Sequence, residues 1–305
     1  MTNEQFLKNL QVPTGKIDII LDTDAYNEID DQFAIAYMLK NPQKFNVVGI
    51  TAAPFFNSRS SSYADGMLKS YNEILKLLTL AGREDLKAVT YKGSTKVLKN
   101  EETPEVSDAA YFLAEKANEY DADNPLYIVA IGAITNVASA FIVNPDMKDK
   151  VVVVWLGGHA EHYHDTKEFN MRQDVPAANV ILNSGCPFVQ LPCMGCVDVF
   201  RVSKHDLQAF LVGKNPLATY LAENAIAEAD SYAEGKPWTR VVWDVTAIAW
   251  LLNENDKFML SKLISAPIVT NDYKYEYPSN RHLFRYVYSI DRDALMTDLF
   301  TALSK

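Results

Sequence analysis

Short runs of consecutive apolar residues alternate along the chain with longer stretches in which apolar positions recur every three or four residues. The runs are Ile17 to Leu21, Asn46 to Thr51, Ala88 to Tyr91, Leu126 to Ile131, Val151 to Leu156 and Phe188 to Leu191. Their length predicts strands, and several are apolar at odd and even positions alike, so both faces of those strands need cover. The intervening stretches supply it. Asp31 to Lys40 stops before Pro42, and Tyr63 to Leu80 puts Met67, Leu68, Tyr71, Leu75 and Leu78 on one face before Gly82 ends it. Both are expected as amphipathic helices. Asn136 to Val143, Pro176 to Asn183 and Pro216 to Ala229 continue the alternation, the last with Asn215 as N-cap and Pro216 in the first turn. Such a series specifies an α/β fold, a doubly wound, mostly parallel sheet flanked by helices.

After about residue 255 the pattern changes. Ile268 to Thr270, Tyr273 to Tyr277 and Leu283 to Ile290 are rich in Tyr and Val, and a closing helix starts at Arg292. A small strand-rich C-terminal appendage is expected there. No Gly/Ser linker, charge run or internal repeat marks a boundary, so residues 1–305 are read as one continuous domain.

Composition narrows the function classes. The 305 residues are 48% apolar and 22% charged, which suits a globular chain with a large core. Lys and Arg number 29 against 39 Asp and Glu, a formal net charge of −10 that argues against a nucleic-acid partner. The opening MTNEQFLKNLQVP has no cationic segment followed by an apolar one, and no apolar run is long enough to span a bilayer. No membrane partner and a cytoplasmic address are expected. Three cysteines are an odd number and too few for a disulfide scaffold, in keeping with a reducing compartment.

The chemistry concentrates after the first strand, where ligands bind in doubly wound sheets. Asp22-Thr23-Asp24-Ala25-Tyr26-Asn27-Glu28-Ile29-Asp30-Asp31 holds five acidic residues in ten, directly before an apolar helix. Helix capping accounts for Asp30 and Asp31. Asp22 and Asp24 are left over, and carboxylates so close raise one another's pKa unless a cation shares them. A divalent metal is one account; capping plus solvated charge is the other. An all-oxygen set without Cys or His suits calcium or magnesium over zinc, and an EF-hand is excluded because Asn27 and Phe33 stand where Gly and Glu are required.

This segment resembles the N-terminal signature of the inosine-uridine nucleoside hydrolase family, Asp-x-Asp-Pro-Gly-x-Asp-Asp. Gly49-Ile50-Thr51 with Asn57, Ala133-Ile134-Thr135-Asn136, Gly157-Gly158 followed by Glu168-Phe169-Asn170 and Asp174, and Trp243-Asp244 with Ala247 and Ala249 resemble further family segments, in order. The resemblance implies a calcium-dependent hydrolase that cleaves the N-glycosidic bond of a small-molecule ribonucleoside to free base and ribose. It implies that Asp24, Asp31, Asp244 and the main-chain carbonyl of Thr135 hold calcium, and that Asp24 takes the proton of the attacking water. Asp30, Asn57, Glu168 and Asn170 would grip the ribose, and the family pattern implies a homodimer or homotetramer.

Two departures bear on this reading. Five residues separate Asp24 from Asp30 where the signature has three, which removes the Pro-Gly turn and adds Glu28. Trp243 stands where the family's non-specific members carry a histidine that protonates the leaving base. This resembles the purine-specific branch, whose Trp stacks on the base, so purines are the expected substrates. Core packing is the other reading of Trp243. Tyr232, Trp238 and Arg240 lie in a stretch broken by Gly235 and Pro237, either a loop that closes over the base or plain surface. The trio His159, His162 and His164 raises zinc, but its place beside the sugar-binding block favours a substrate-facing or surface role, with His162 the candidate contact. Cys193 and Cys196 form a Cys-x-x-Cys without the second half of a zinc site. Two other functions stay open: a nucleoside- or ribose-binding protein without turnover, and a haloacid-dehalogenase-type phosphatase, for which Asp22-Thr23-Asp24 would be the nucleophile segment.

Overall fold

A computed structural model describes residues 1–305. Eight strands form the main sheet: β1 (Ile17–Thr23), β2 (Phe45–Ala52), β3 (Thr90–Lys92), β4 (Leu126–Ala130), β5 (Val151–Leu156), β6 (Phe188–Leu191) and, from the C-terminal region, two described below. The shorter β7 (Arg201–Ser203) and β8 (Thr239–Val241) pair with each other. β9 (Met259–Ser265) is the outer strand of the main sheet, β10 (Ile268–Val269) and β11 (Tyr275–Glu276) make a small antiparallel pair, and β12 (Leu283–Ile290) joins β6 to β9. The order is β3-β2-β1-β4-β5-β6-β12-β9, with only β9 antiparallel to its neighbour. The α/β class and its mostly parallel sheet are as the apolar runs predicted.

Alternation along each strand divides the core. Ile19, Leu21, Val129, Val152 and Val154 face one apolar cluster, while Ile20, Ile128, Val151, Val153 and Trp155 face another. Helices α1 (Asn3–Asn9), α2 (Asp30–Leu39), α3 (Tyr63–Leu80), α4 (Asp108–Lys116), α5 (Thr135–Val143), α6 (Phe169–Gln173), α7 (Val175–Ser184), α8 (Lys204–Phe210), α9 (Pro216–Ala233), α10 (Val245–Trp250) and α11 (Arg292–Leu303) complete the chain. Two expectations need correction. α2 is not amphipathic: all of its residues are buried, because α3, α9, α10 and α11 wrap it against the sheet. The C-terminal strands are only partly an appendage, since β12 and β9 extend the main sheet and β10–β11 alone stands apart. No helix is long and apolar enough to cross a membrane.

The topology positions the site. β2 and β4 flank β1 as parallel neighbours, so the chain winds away from β1 in opposite directions and leaves a crevice beyond its carboxyl end. Asp22, inside β1, does not reach that crevice. Its Oδ1 accepts from Thr51 Oγ1 at 2.6 Å and Asn136 Nδ2 at 2.8 Å, a buried strut that ties β1 to β2 and α5. Asn136 also donates to the Ala52 carbonyl at 3.1 Å and accepts the Ser94 N–H at 2.8 Å. Gly93 makes room for this: a Cβ there would lie 1.9 Å from the Ala52 oxygen and 2.5 Å from Asn136 Nδ2. Gly93→Ala is therefore expected to destabilise the fold by about 2–4 kcal/mol through the clash and the broken buried bonds. An unchanged urea midpoint would contradict that account.

Candidate active site

β1 delivers the chain to the crevice and a turn takes it away, with the Asn27 N–H donating to the Asp24 carbonyl at 2.7 Å. The turn is pinned from outside, Asn57 Nδ2 donating to Asn27 Oδ1 at 2.7 Å and the Tyr26 N–H to Ser70 Oγ at 3.3 Å. The extra loop residues thus put Asn27 and Glu28 on the cleft wall. α2 follows with Asp30 and Asp31 in its first turn, and α10, packed against it, starts just after Asp244. Oxygens of Asp30, Asp31 and Asp244 lie within 4.8 Å of one another, all three residues buried. Asp24, also buried, lines the same cleft, whose volume is about 180 Å³.

Burial is the first cause that raises the pKa of each of these carboxyls, and mutual repulsion adds to it. Asp24 is pushed well above its ordinary value by burial, then by Asp31 and Asp30. Asp244 is raised by burial and by Asp30, Asp31 and Asp24 in turn, and Asp30 by burial and then Glu28. Asp31 rises to about 7 although Thr23 Oγ1 donates to it at 2.5 Å. No lysine or arginine lines the cleft, and buried Asp24 Oδ2 has no hydrogen-bond partner. An all-oxygen donor set with an orphaned carboxylate oxygen fits a hard divalent cation.

The opposite wall comes from the chain after β5. Glu168 caps α6: its Oε1 accepts the Asn170 N–H at 2.8 Å, and its Oε2 the Met171 N–H at 2.9 Å and the Gly158 N–H at 3.0 Å. Asn170 Nδ2 donates to the Ile131 and Leu156 carbonyls at 3.2 and 3.0 Å. These bonds fix the two side chains on the cleft wall, with Trp243 beside Asp244 on another part of the rim.

The structure therefore brings Asp24, Asp30, Asp31, Glu168, Asn170, Trp243 and Asp244 to one cleft. Five expected contacts are not among its lining residues. Thr135 opens α5, where carbonyls point down the helix away from the crevice, and its hydroxyl donates to Asp174 Oδ2 at 2.6 Å. Asn57 stands one layer back, behind Asn27. Trp238 Nε1 is held by Asp230 Oδ1 at 3.0 Å. Arg240 pairs with Glu28 at 2.9 Å and Glu228 at 3.3 Å and donates to the Tyr232 hydroxyl at 2.7 Å, so it braces the turn from outside. His162 lies against Gly195, whose added Cβ would come 2.9 Å from His162 Nε2. The cleft instead takes Ile131, Leu156, His159, Phe169, Cys193 and Met194. Ile131, Leu156 and Cys193 sit within two residues of the carboxyl ends of β4, β5 and β6, a signal the strand boundaries already carried.

A doubly wound sheet with a buried carboxylate cluster at its switch point is an α/β fold whose site is suited to hold a cation. The chain belongs to the inosine-uridine preferring nucleoside hydrolase family, whose model matches residues 19–296. It is thus a hydrolase of N-glycosyl compounds, in a family that depends on a metal. The pyrimidine-specific ribonucleoside hydrolase RihA of Shewanella sp. (strain ANA-3) is 26% identical over 263 residues, covering 77% of each chain. RihA of Escherichia coli O1:K1 / APEC is 27% identical over 267 residues, covering 77% of this chain and 79% of its own. In fold, the chain resembles the plant nucleoside hydrolase PpNRh1 (TM-score 0.74, 20% identity, 94% of this chain and 99% of that one). It also resembles an inosine-guanosine nucleoside hydrolase (TM-score 0.74, 19% identity, 94% and 98%). The family match leaves the phosphatase alternative without support.

Proposed function

We propose that this chain hydrolyses ribonucleosides to ribose and free base with calcium as its metal, and that it favours purines. The observation that carries the reading is the buried cluster of Asp30, Asp31 and Asp244, with buried Asp24 lining the same cleft and no lysine or arginine among the lining residues. Asp24, Asp31 and Asp244 would hold the metal, with Ile131 replacing Thr135 as the nearest main-chain group on the cleft wall. Calcium accepts six to eight oxygens, which leaves positions for a water and two sugar hydroxyls, and when bound it lowers the pKa of that water.

The chain's own residues do the rest. Asp24 accepts a proton from the attacking water as its oxygen bonds to the anomeric carbon. The C–N bond breaks with its electron pair passing to the base. Asp30, Glu168 and Asn170 orient the sugar, and the anionic wall stabilises the positive charge that develops on the anomeric centre. Trp243 offers a flat apolar face at the rim, and stacking favours the larger purine.

The comparisons point both ways on the base, since the RihA relatives are named for pyrimidines and the inosine-guanosine neighbour for purines. Trp243 in the cleft favours purines. The test is release of free base from inosine, guanosine, adenosine and uridine, with and without chelator. Purines are expected to show the higher kcat/KM, and Trp243→Ala to lower kcat on them about tenfold or more while KM changes less. Efficient uridine cleavage, or an unchanged kcat in that variant, returns Trp243 to a packing role. Nucleoside binding without any base release would establish the non-catalytic alternative.

A further inference from the structure

His159 follows the Gly157-Gly158 turn beyond β5 and lines the cleft, yet the reading above gives it no task. Its backbone is anchored, the N–H donating to Thr166 Oγ1 at 3.0 Å and the carbonyl accepting from the Tyr275 hydroxyl at 3.3 Å. Its ring is oriented as well. Nδ1 accepts the main-chain N–H of Met194 at 3.3 Å, and the Tyr163 ring packs edge-on with centroids 4.8 Å apart. An imidazole that accepts at Nδ1 carries its proton on Nε2. Burial also holds this ring below the ordinary histidine range, against the smaller opposing pull of Asp165. A neutral, oriented N–H donor therefore stands on the wall of a cleft whose other polar side chains, apart from the Trp243 indole and the Cys193 thiol, are carboxylates or amides.

The reaction needs such a group. When the C–N bond breaks, its electron pair leaves negative charge on the base, and Trp243, in the place where the family pattern carries a histidine, has no acidic ring proton to offset it. We propose that His159 is a catalytic residue that donates a hydrogen bond from Nε2 to a ring nitrogen of the departing purine. The water proton goes to Asp24, the base takes its final proton from solvent, and His159 keeps its own throughout. The inference rests on the ribohydrolase reading above.

The test compares inosine with 4-nitrophenyl β-D-ribofuranoside, whose phenolate leaves as a stable anion without a donor. His159→Ala is expected to lower kcat on inosine about 100-fold, the cost of losing one donor aimed at developing charge. The nitrophenyl riboside should change by no more than about threefold. His159→Gln, whose side-chain amide places an N–H near the Nε2 position, should recover about tenfold on inosine with the wild-type pH profile. Because both substrates are measured on one preparation, their ratio does not depend on how much of a variant is folded. Equal losses on the two substrates, or no loss on inosine, overturn the proposal. Wild-type enzyme that cleaves the nitrophenyl riboside and nucleosides alike, with an unaltered ratio in His159→Ala, overturns this inference alone; cleavage of neither substrate by the wild type overturns the ribohydrolase reading and this inference with it.

Discussion

Asp24→Asn is expected to lower kcat on inosine by about three orders of magnitude or more, with KM changed far less. The choice of Asp24 over its neighbours rests on what each oxygen already does. Asp31 is engaged by Thr23 Oγ1 at 2.5 Å, both oxygens of Glu168 already accept main-chain N–H groups, and Asp22 is turned into the core toward Thr51 and Asn136. Asp24 alone in the cleft has a buried oxygen without a partner. It also lies against Gly132, where a Cβ would come within 3.1 Å of the carboxyl, so a side chain there would crowd it. An amide at position 24 cannot take the water proton and is a poorer cation ligand, so both losses fall on the same step. Calorimetric titration with calcium separates them: a variant that still binds the ion and remains inactive has lost the base. Turnover within about tenfold of wild type would assign proton abstraction to another carboxylate.

β1, β4, β5 and β6 are legible in the amino-acid pattern because central parallel strands are buried on both faces and must be apolar throughout. β9 is not. As the outer strand it buries only Met259 over Met259–Ser265, the other positions being half-buried or exposed, with a lysine in the middle, and its pairing with β12 is set by residues more than fifteen positions away. The acidic segment at the end of β1 was legible as a site, but the burial of Asp22 was not, because the partners that hold it, Thr51 and Asn136, lie 29 and 114 positions away. Thr135 lies in the first turn of α5 and Ile131 directly after β4, a boundary that a local sequence match does not show. Arg240 lies in a stretch broken by Gly235 and Pro237 that reads equally as a closing loop or as surface, because its partner Glu28 lies 212 positions upstream. The orientation of His159 depends on a main-chain N–H 35 residues later.

Chelation is expected to abolish nucleoside cleavage and to destabilise the protein more at pH 8 than at pH 5. In the unfolded chain aspartates titrate near 4, whereas in the folded, metal-free chain burial and crowding raise Asp31 to about 7 and lift Asp24, Asp30 and Asp244 as well. A raised folded value means that the native state holds protons the unfolded state has released. The corresponding stability is complete below about pH 4 and is lost as pH rises through the folded values, at about 1.4 kcal/mol for each tenfold difference in proton affinity between the folded and unfolded chain. Metal-free protein should therefore melt at progressively lower temperature between pH 5 and pH 8. Bound calcium competes with those protons and supplies the missing positive charge, so its stabilisation grows over the same interval. Asp22 and Asp174, each raised to about 6 by burial, lie outside the proposed metal ligands. Their contribution is common to both samples and cancels from the difference. Scanning calorimetry with calcium and with EGTA at the two pH values measures that difference directly. A gap in melting temperature that is absent, or equal at pH 5 and pH 8, would refute a shared cation among these carboxylates, and so would a rigorously metal-free preparation with full activity.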